Sequence, residues 1–438
     1  MKRNVYAAAR LAALVAAVIF LGAGPAAAQL IGRGVGPLVG GVTGTLGHTT
    51  QGITNTVNQG VDSTLTTVRD AVGRPHLAAR DFETDRLGER VVRATVLAIA
   101  PSAQSLAAAR TLDFTVARED TMPSLGLSVA VLTVPDGMSV SDALAALRKA
   151  DPAGTYDYDH LYDPSGAEAS APSGMSPGDS EAGAGKIGMI DAGVDRNHPA
   201  FDDAKIVAKN FANDKESPGT EHGTAVASLL VGHDDDFRGA LSGATLYAAD
   251  VYGGDANGGS AEDIARALAW LAANNVPVAN VSLAGPKNAL LGAAVAAFLA
   301  RGHVLVAAVG NGGPAAPMRF PAGYTGVVGV TSVDAAHDIQ LDANQGADVM
   351  FAALGVDVRV AGVKGHYVTM TGTSFAAPLV AARLALIVPR ADAQTAAHAL
   401  VMLERSAVDL GAPGRDPVYG YGFLDAPGAV SRTAKTTQ

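Results

Sequence analysis

GTSFAAPLVAARLALIV, residues 372–388, decides the reading of this 438-residue chain. It places Ser374 at the mouth of an apolar helix, between Gly372 and the small residues Ala376, Ala377 and Pro378. A glycine there lets backbone approach closely, and the unpaired N–H groups of a helix start favour negative charge developing beside them. Taken alone, GTS reads equally as a Ser/Thr cap on a buried helix, because caps favour these residues. Its company changes the reading.

Upstream, the apolar run KIGMI (186–190) reads as a buried strand and stops at Asp191 in DAGVDRNHP. His222 follows in EHGTAVASLLVG, where Gly223 and Thr224 open a second apolar helix. An isolated Asp after a strand is usually a turn residue, and an isolated His is usually a satisfied polar side chain. Here they occur in the order Asp, His, Ser, each at the end of an element, where a parallel sheet exposes its ligand crevice. A serine hydroxyl is a poor nucleophile at neutral pH. It needs an imidazole to take its proton and a carboxylate to hold that imidazole in the right tautomer, roles that Ser374, His222 and Asp191 can fill. VLVAAVGNGGP (304–314) adds a buried strand and then Asn311, whose amide can donate to an oxyanion. Asn-Gly is otherwise an ordinary turn pair.

With these four motifs in this order, the stretch from about Gly185 to Pro427 resembles the subtilisin-like serine peptidases, the subtilases. DAGVDRNHP is similar to the family's aspartate motif, HGTAVAS to its histidine motif, AAVGNGGP to its oxyanion motif and GTSFAAP to its serine motif. The resemblance implies a serine endopeptidase working through an acyl-enzyme, with Asp191, His222 and Ser374 catalytic and Asn311 in the oxyanion hole. It also implies two substrate strands, YGGDANGGSAEDI with Gly258 and Gly259, and NVSLAG with Ser282, Leu283, Ala284 and Gly285. The lack of bulk at Gly258, Gly259, Ala284 and Gly285 suits an extended polypeptide adding itself as a strand. Two departures stand out. Ala192 replaces a hydroxyl residue beside Asp191, and Val309 replaces a smaller residue before Gly310. If Ala307, Ala308 and Val309 floor the primary pocket, an apolar side chain before the scissile bond is expected, with Ala308 substrate-binding.

Around this segment the chain divides into further parts. Lys2 and Arg3 precede an apolar run from Leu11 to Ala23, and Ala26–Ala28 offer a small-residue cleavage site before Gln29, the pattern of a secretory signal peptide over residues 1–28. The run falls short of the roughly 20 residues a membrane span needs, so no membrane anchor is expected, and the product is periplasmic or extracellular. The chain has no cysteine, which excludes disulfides and thiolate metal sites. A formal charge of −10 without basic blocks argues against nucleic acid as a partner. No cofactor or metal is expected. Relatives often bind calcium, but the acidic runs at 202–203 and 234–236 lack the spacing of a dedicated oxygen-ligand loop.

Residues 29–85 are rich in Gly and Thr and read as flexible. Residues 86–163 read as strand, helix, strand, strand, helix, strand, a ferredoxin-like order, with the second helix capped near Ser139. The resemblance implies a prodomain there, an inhibitor and folding aid for the segment after it. The Gly/Pro/Ser-rich stretch 164–184 then reads as an exposed linker, 185–428 as the peptidase domain and 429–438 as a tail. The whole is α/β, a mostly parallel sheet with helices on both faces, preceded by a small α+β prodomain. A protease fold kept as a cell-surface binding module, its prodomain never released, is the alternative. An α/β-hydrolase esterase fits poorly, since it needs a complete GxSxG elbow and the chain order Ser, Asp, His, whereas the order here is Asp, His, Ser.

Overall fold

The computed structural model describes residues 81–168 and 185–425, apart from 214, 236 and 256. The leader, most of 29–85, residues 169–184 of the linker and the tail lie outside the described residues.

The N-terminal part runs β1 (Phe82–Thr84), β2 (Arg90–Ile99), α1 (Ala103–Thr111), β3 (Thr115–Met122), β4 (Leu127–Thr133), α2 (Val140–Ala150) and β5 (Thr155–Pro164). Its antiparallel sheet has the order β5-β2-β4-β3, the ferredoxin-like arrangement, with β1 added along β2. Helix α2 forms because Ser139 accepts the Asp142 N–H, with Asp142 in the first turn and Arg148 and Lys149 in the last. Val140, Ala143, Leu144 and Leu147 recur at helical spacing and are all buried. The sheet itself is apolar on both faces. On β2, Val96 and Ala98 join the core under α1 and α2, whereas Leu97 and Ile99 face the other way into the core of the C-terminal part. Two boundaries differ from the sequence reading: β1 lies inside the segment read as flexible, and β5 runs through Pro164 into the stretch read as linker.

After β6 (Ala167–Glu168), the C-terminal part contains β7 (Lys186–Asp191), β8 (Lys205–Asn210), α3 (Glu221–Val231), β9 (Thr245–Asp250), β10 (Gly259–Ser260) and α4 (Ala261–Ala273). There follow β11 (Val278–Val281), β12 (Leu283–Ala284), α5 (Ala289–Ala300), β13 (Val304–Ala308), β14 (Val328–Val333) and β15 (Val349–Leu354). The chain ends with β16 (Val358–Ala361), β17 (Tyr367–Thr371), α6 (Thr373–Ile387) and α7 (Ala393–Ser406). Seven strands build a parallel sheet in the order β15-β14-β13-β11-β7-β9-β8. Continuous apolar runs such as VLVAA in β13, buried at every residue, suit strands covered on both faces. Helices α3 and α6 cover one face and α4 and α5 the other, in two separate apolar cores.

The two parts meet at helix N-termini. Asp159 on β5 accepts the Glu262 N–H at 3.0 Å, in the first turn of α4. Two residues earlier on the same strand, Asp157 accepts the Ala289 N–H at 2.6 Å, at the start of α5. Each carboxylate satisfies a donor that the helix leaves unpaired and sits at the positive end of its dipole.

Candidate active site

Asp191 ends β7 at a buried position and His222 sits in the first turn of α3. Gly223 brings them together, because a Cβ there would lie 2.5 Å from the Gly193 carbonyl oxygen. Only a glycine lets the start of α3 press against the loop after Asp191. His222 Nδ1 lies 2.8 Å from Asp191 Oδ1, which also accepts the Ala192 N–H at 2.7 Å. The backbone thus supplies a hydrogen bond where the side chain of Ala192 has none to offer, and Asp191 Oδ2 and His222 Nε2 are buried without partners.

Ser374 lies in the first turn of α6, whose N-cap Gly372 makes no side-chain cap bond, so the cap reading of GTS does not describe it. Phe375, the next residue, places its ring 5.5 Å from the His222 ring. Pro378 sits four residues after Ser374 and has no N–H to give to the Ser374 carbonyl. The Ser282 hydroxyl fills that gap, donating to Ser374 O at 2.9 Å, while Ser374 Oγ donates back to the Ser282 carbonyl at 2.9 Å. Ser282 therefore ties the stretch NVSLAG to the serine motif.

The groove beside Ser374 is filled by the chain's own residues 161–168. On one side, β5 pairs antiparallel with β10, Leu161 opposite Ser260 and Tyr162 opposite Gly259. On the other it pairs with β12, Asp163 opposite Ala284 and Pro164 opposite Leu283. The Ser165 N–H continues the ladder to the Ser282 carbonyl at 3.2 Å, and the Ser165 carbonyl accepts the Ser374 N–H at 2.9 Å. Beyond it, β6 pairs antiparallel with β17. Gly258, Gly259, Ser282, Leu283, Ala284 and Gly285 therefore all border one threaded segment. Glycine is required at Gly258, where φ is +107° and a Cβ would strike the Tyr162 carbonyl. At Gly285 the bare backbone makes room for the Tyr162 ring, fully buried with its hydroxyl donating to the Pro286 carbonyl at 2.7 Å. Burial pushes the Tyr162 phenol well above its usual pKa.

Asn311 holds its Oδ1 toward the Thr373 N–H (3.2 Å) and the Gln340 amide (3.3 Å). Its Nδ2 lies 3.1 Å, and the Ser165 carbonyl oxygen 2.5 Å, from the point a Cβ on Gly372 would occupy. Gln340 has no signature in the sequence and escaped the motif reading. A cavity of about 400 Å³ opens beside Ser165, lined by Ala284, Gly310, Asn311, Asn344 and Arg319 among others. Ala307, Ala308 and Val309 are fully buried within the sheet and are not part of this lining. The wall of this cavity comes largely from the loop after β13 and not from the strand itself, and it mixes Pro164, Ala284, Ala316 and Pro317 with Asn311, Asn344 and Arg319.

Asp250 ends β9 beside Asp191 on β7, the two strands being paired at these residues. Burial raises its carboxyl above the usual pKa, against the lowering by backbone hydrogen bonds from Gly253 and Tyr252. Among the described residues no cluster of three or more His, Asp or Glu is placed to hold a metal, and no helix is long and apolar enough to cross a membrane.

Residues 183–422, more than half of the chain, match the Subtilase family of peptidases, and the chain belongs to that family as a subtilisin-like serine peptidase. It is 30% identical over 248 residues to subtilisin BL of Lederbergia lenta, covering 56% of this chain and 90% of that protein. It is 31% identical to subtilisin DY of Bacillus licheniformis over a similar share. With the minor extracellular protease Epr of Bacillus subtilis (strain 168) it shares 31% identity over 244 residues, 55% of this chain but only 37% of Epr. In structure it is similar to fervidolysin from Fervidobacterium pennivorans, described as a keratinolytic enzyme related to subtilisin. The TM-score is 0.64 at 19% identity, over 81% of this chain and 64% of that one, a likeness of fold.

Proposed function

We propose that the chain is the zymogen of an exported serine endopeptidase that cuts itself between Ser165 and Gly166 and thereafter hydrolyses polypeptides. The reading is carried by the hydrogen bond from the Ser374 N–H to the Ser165 carbonyl, made while backbone pairs the segment on both sides of that residue. A peptide carbonyl held this way occupies the position of the acyl group to be attacked.

In this mechanism Ser374 Oγ turns from the Ser282 carbonyl toward His222 Nε2 and attacks the Ser165 carbonyl carbon. His222 takes the hydroxyl proton, and Asp191 holds the imidazole through Nδ1 and stabilises the cation formed. The Ser374 N–H and Asn311 Nδ2 stabilise the oxyanion, a donor of this kind contributing about 3 to 4 kcal/mol. The bond from Ser165 to Gly166 breaks as His222 returns the proton to the Gly166 amine. Water then releases the acyl group by the same steps.

After cleavage, residues up to Ser165 keep β5 in the groove and act as an inhibitor. The Asp157 and Asp159 caps and the buried Tyr162 support that role. The leader pattern and the extracellular relative Epr support export. The test is the mass of the purified chain: wild type is expected to yield a fragment beginning at Gly166, and Ser374→Ala to stay intact. If both stay intact and casein is not cut, the molecule is the alternative, a binding module with its N-terminal domain retained.

A further inference from the structure

The cavity beside Ser165 contains a charge that the segment in the groove does not use. Arg319 lines it, the stem of its side chain reaching to 3.5 Å from where a Cβ on Gly310 would lie. Its guanidinium is engaged from outside the cavity by Glu89, with Nη1 to Oε1 at 2.7 Å and Nη2 to Oε2 at 3.3 Å. Glu89 belongs to the turn between β1 and β2, the part that departs once the Ser165–Gly166 bond is cut. Ser165 itself is too short to fill about 400 Å³, and its hydroxyl is buried without a partner. Asp163 also lines the cavity, as strand alternation requires of a residue two before Ser165, but its carboxylate is paired with Arg90. Asp163 is thus matched to an arginine within the N-terminal part, whereas the Glu89–Arg319 pair joins the two parts, and release of the N-terminal part strips Arg319 of its partner.

We infer that Arg319 sets the primary specificity of the mature peptidase, which prefers Glu or Asp immediately before the scissile bond. The inference rests on the proposed peptidase activity and extends it to a substrate class. In the intact chain Glu89 satisfies Arg319, so the processing site needs no acid and a serine suffices. In the mature enzyme a carboxylate entering the cavity replaces Glu89, with the planar guanidinium accommodating it by two parallel hydrogen bonds. An aliphatic or aromatic side chain leaves Arg319 without that partner, and a lysine is repelled.

The experiment uses the self-processed enzyme and internally quenched peptides Tyr-Ala-Pro-X-Gly-Ala-Glu, with X as Glu, Gln, Phe or Lys. Alanine in the second position removes the other acid that borders the cavity. In wild type, kcat/KM for Glu is expected to exceed that for Gln by roughly tenfold or more, about 1.4 kcal/mol, and to fall as salt is added. Arg319→Gln, which keeps most of the stem, is expected to bring the ratio near one while sparing the Gln peptide. Arg319→Lys restores a preference for Glu, and Arg319→Glu turns it toward Lys. A Glu-to-Gln ratio near one in wild type, or one unmoved by Arg319→Gln, overturns the inference. If that result comes with normal self-cleavage and casein hydrolysis, the peptidase reading stands and only the pocket assignment falls. A chain that cuts neither itself, casein nor any peptide overturns both.

Discussion

Gly166, immediately after the proposed scissile bond, faces the ring of Phe375. A Cβ added there would lie 2.5 Å from Phe375 Cε2, 2.9 Å from Cζ and 3.3 Å from Cδ2. Carbon atoms in contact settle about 3.5–4.0 Å apart, so even alanine overlaps the ring by about 1 Å at the closest atom. Phe375 is fully buried and its ring neighbours that of His222, so yielding would disturb the base as well as the core. Overpacking of this kind costs about 1–3 kcal/mol. Gly166 is not among the positive-φ residues, so alanine fits the backbone and the penalty belongs to the side-chain contact. Carried wholly by the geometry needed for cleavage, it slows self-processing of Gly166→Ala roughly 5- to 150-fold.

The assay is the time course of chain shortening followed by intact mass, run on the four corners of a double-mutant cycle with Phe375→Met. Methionine keeps the site apolar and replaces a flat ring by a flexible chain, at a stability cost below about 1.5 kcal/mol for swaps of this type. The double variant is expected to recover most of the lost rate, giving a coupling above about 1 kcal/mol. Processing of Gly166→Ala within twofold of wild type, or equal slowing in both Phe375 backgrounds, would refute the reasoning. The first result would mean that Gly166 is not held against the ring during cleavage, the second that its loss acts elsewhere.

Three further outcomes are expected. Ser282→Ala leaves the buried Ser374 carbonyl with no donor, since Pro378 has none, and should destabilise the fold by about 1–3 kcal/mol, measured by urea unfolding of the Ser374→Ala background. Burial raises the folded pKa of Asp250 above the ordinary value of 3.8. The native state therefore keeps a proton that the unfolded chain has lost, and the associated stability is intact below 3.8 and lost as pH climbs through the raised value. Asp250→Asn keeps an acceptor for the Tyr252 and Gly253 N–H groups and should flatten that fall in Tm with rising pH; an unchanged slope counts against the assignment. Asp157→Ala with Asp159→Ala removes the carboxylates that cap the Ala289 and Glu262 N–H groups of α5 and α4, whose N-cap residues Asn288 and Ser260 remain, at about 1 kcal/mol each. It should shorten the lag before activity appears after cleavage by tenfold or more, whereas an unaltered lag would mean that the caps do not hold the inhibitor in place.

How far the sequence could be read follows from the range over which each feature is encoded. Asp191, His222 and Ser374 stand out as candidates because each lies at the junction of an apolar run with a glycine, and the glycines have local reasons that survive in the linear text. Gly223 permits the contact of α3 with the Asp191 loop, and Gly372 permits Ser165 to approach Ser374. The ferredoxin-like order of 86–163 was legible because helix periodicity in SVSDALAALRKA and strand runs such as LSVAVLTV are local patterns. Features made by two distant stretches were not legible. SVAVLTV shows no polar face, because Val129 and Val131 enter one core and Ala130 and Leu132 another, so nothing in the strand announces what it packs against. The stretch PSGAE reads, on its composition, as the start of an exposed linker. Small residues there serve a groove: Gly166 fits under Phe375, and Ser165 gives its N–H to Ser282 and its carbonyl to Ser374. Arg319 shows the same limit in charge. In the sequence it is one cation in PMRFP, and its meaning arises only from Gly310 on one side and Glu89, 230 residues away, on the other. Composition that reads as flexibility in a segment thus describes equally well a segment built to lie, fully extended, inside the cleft of its own enzyme.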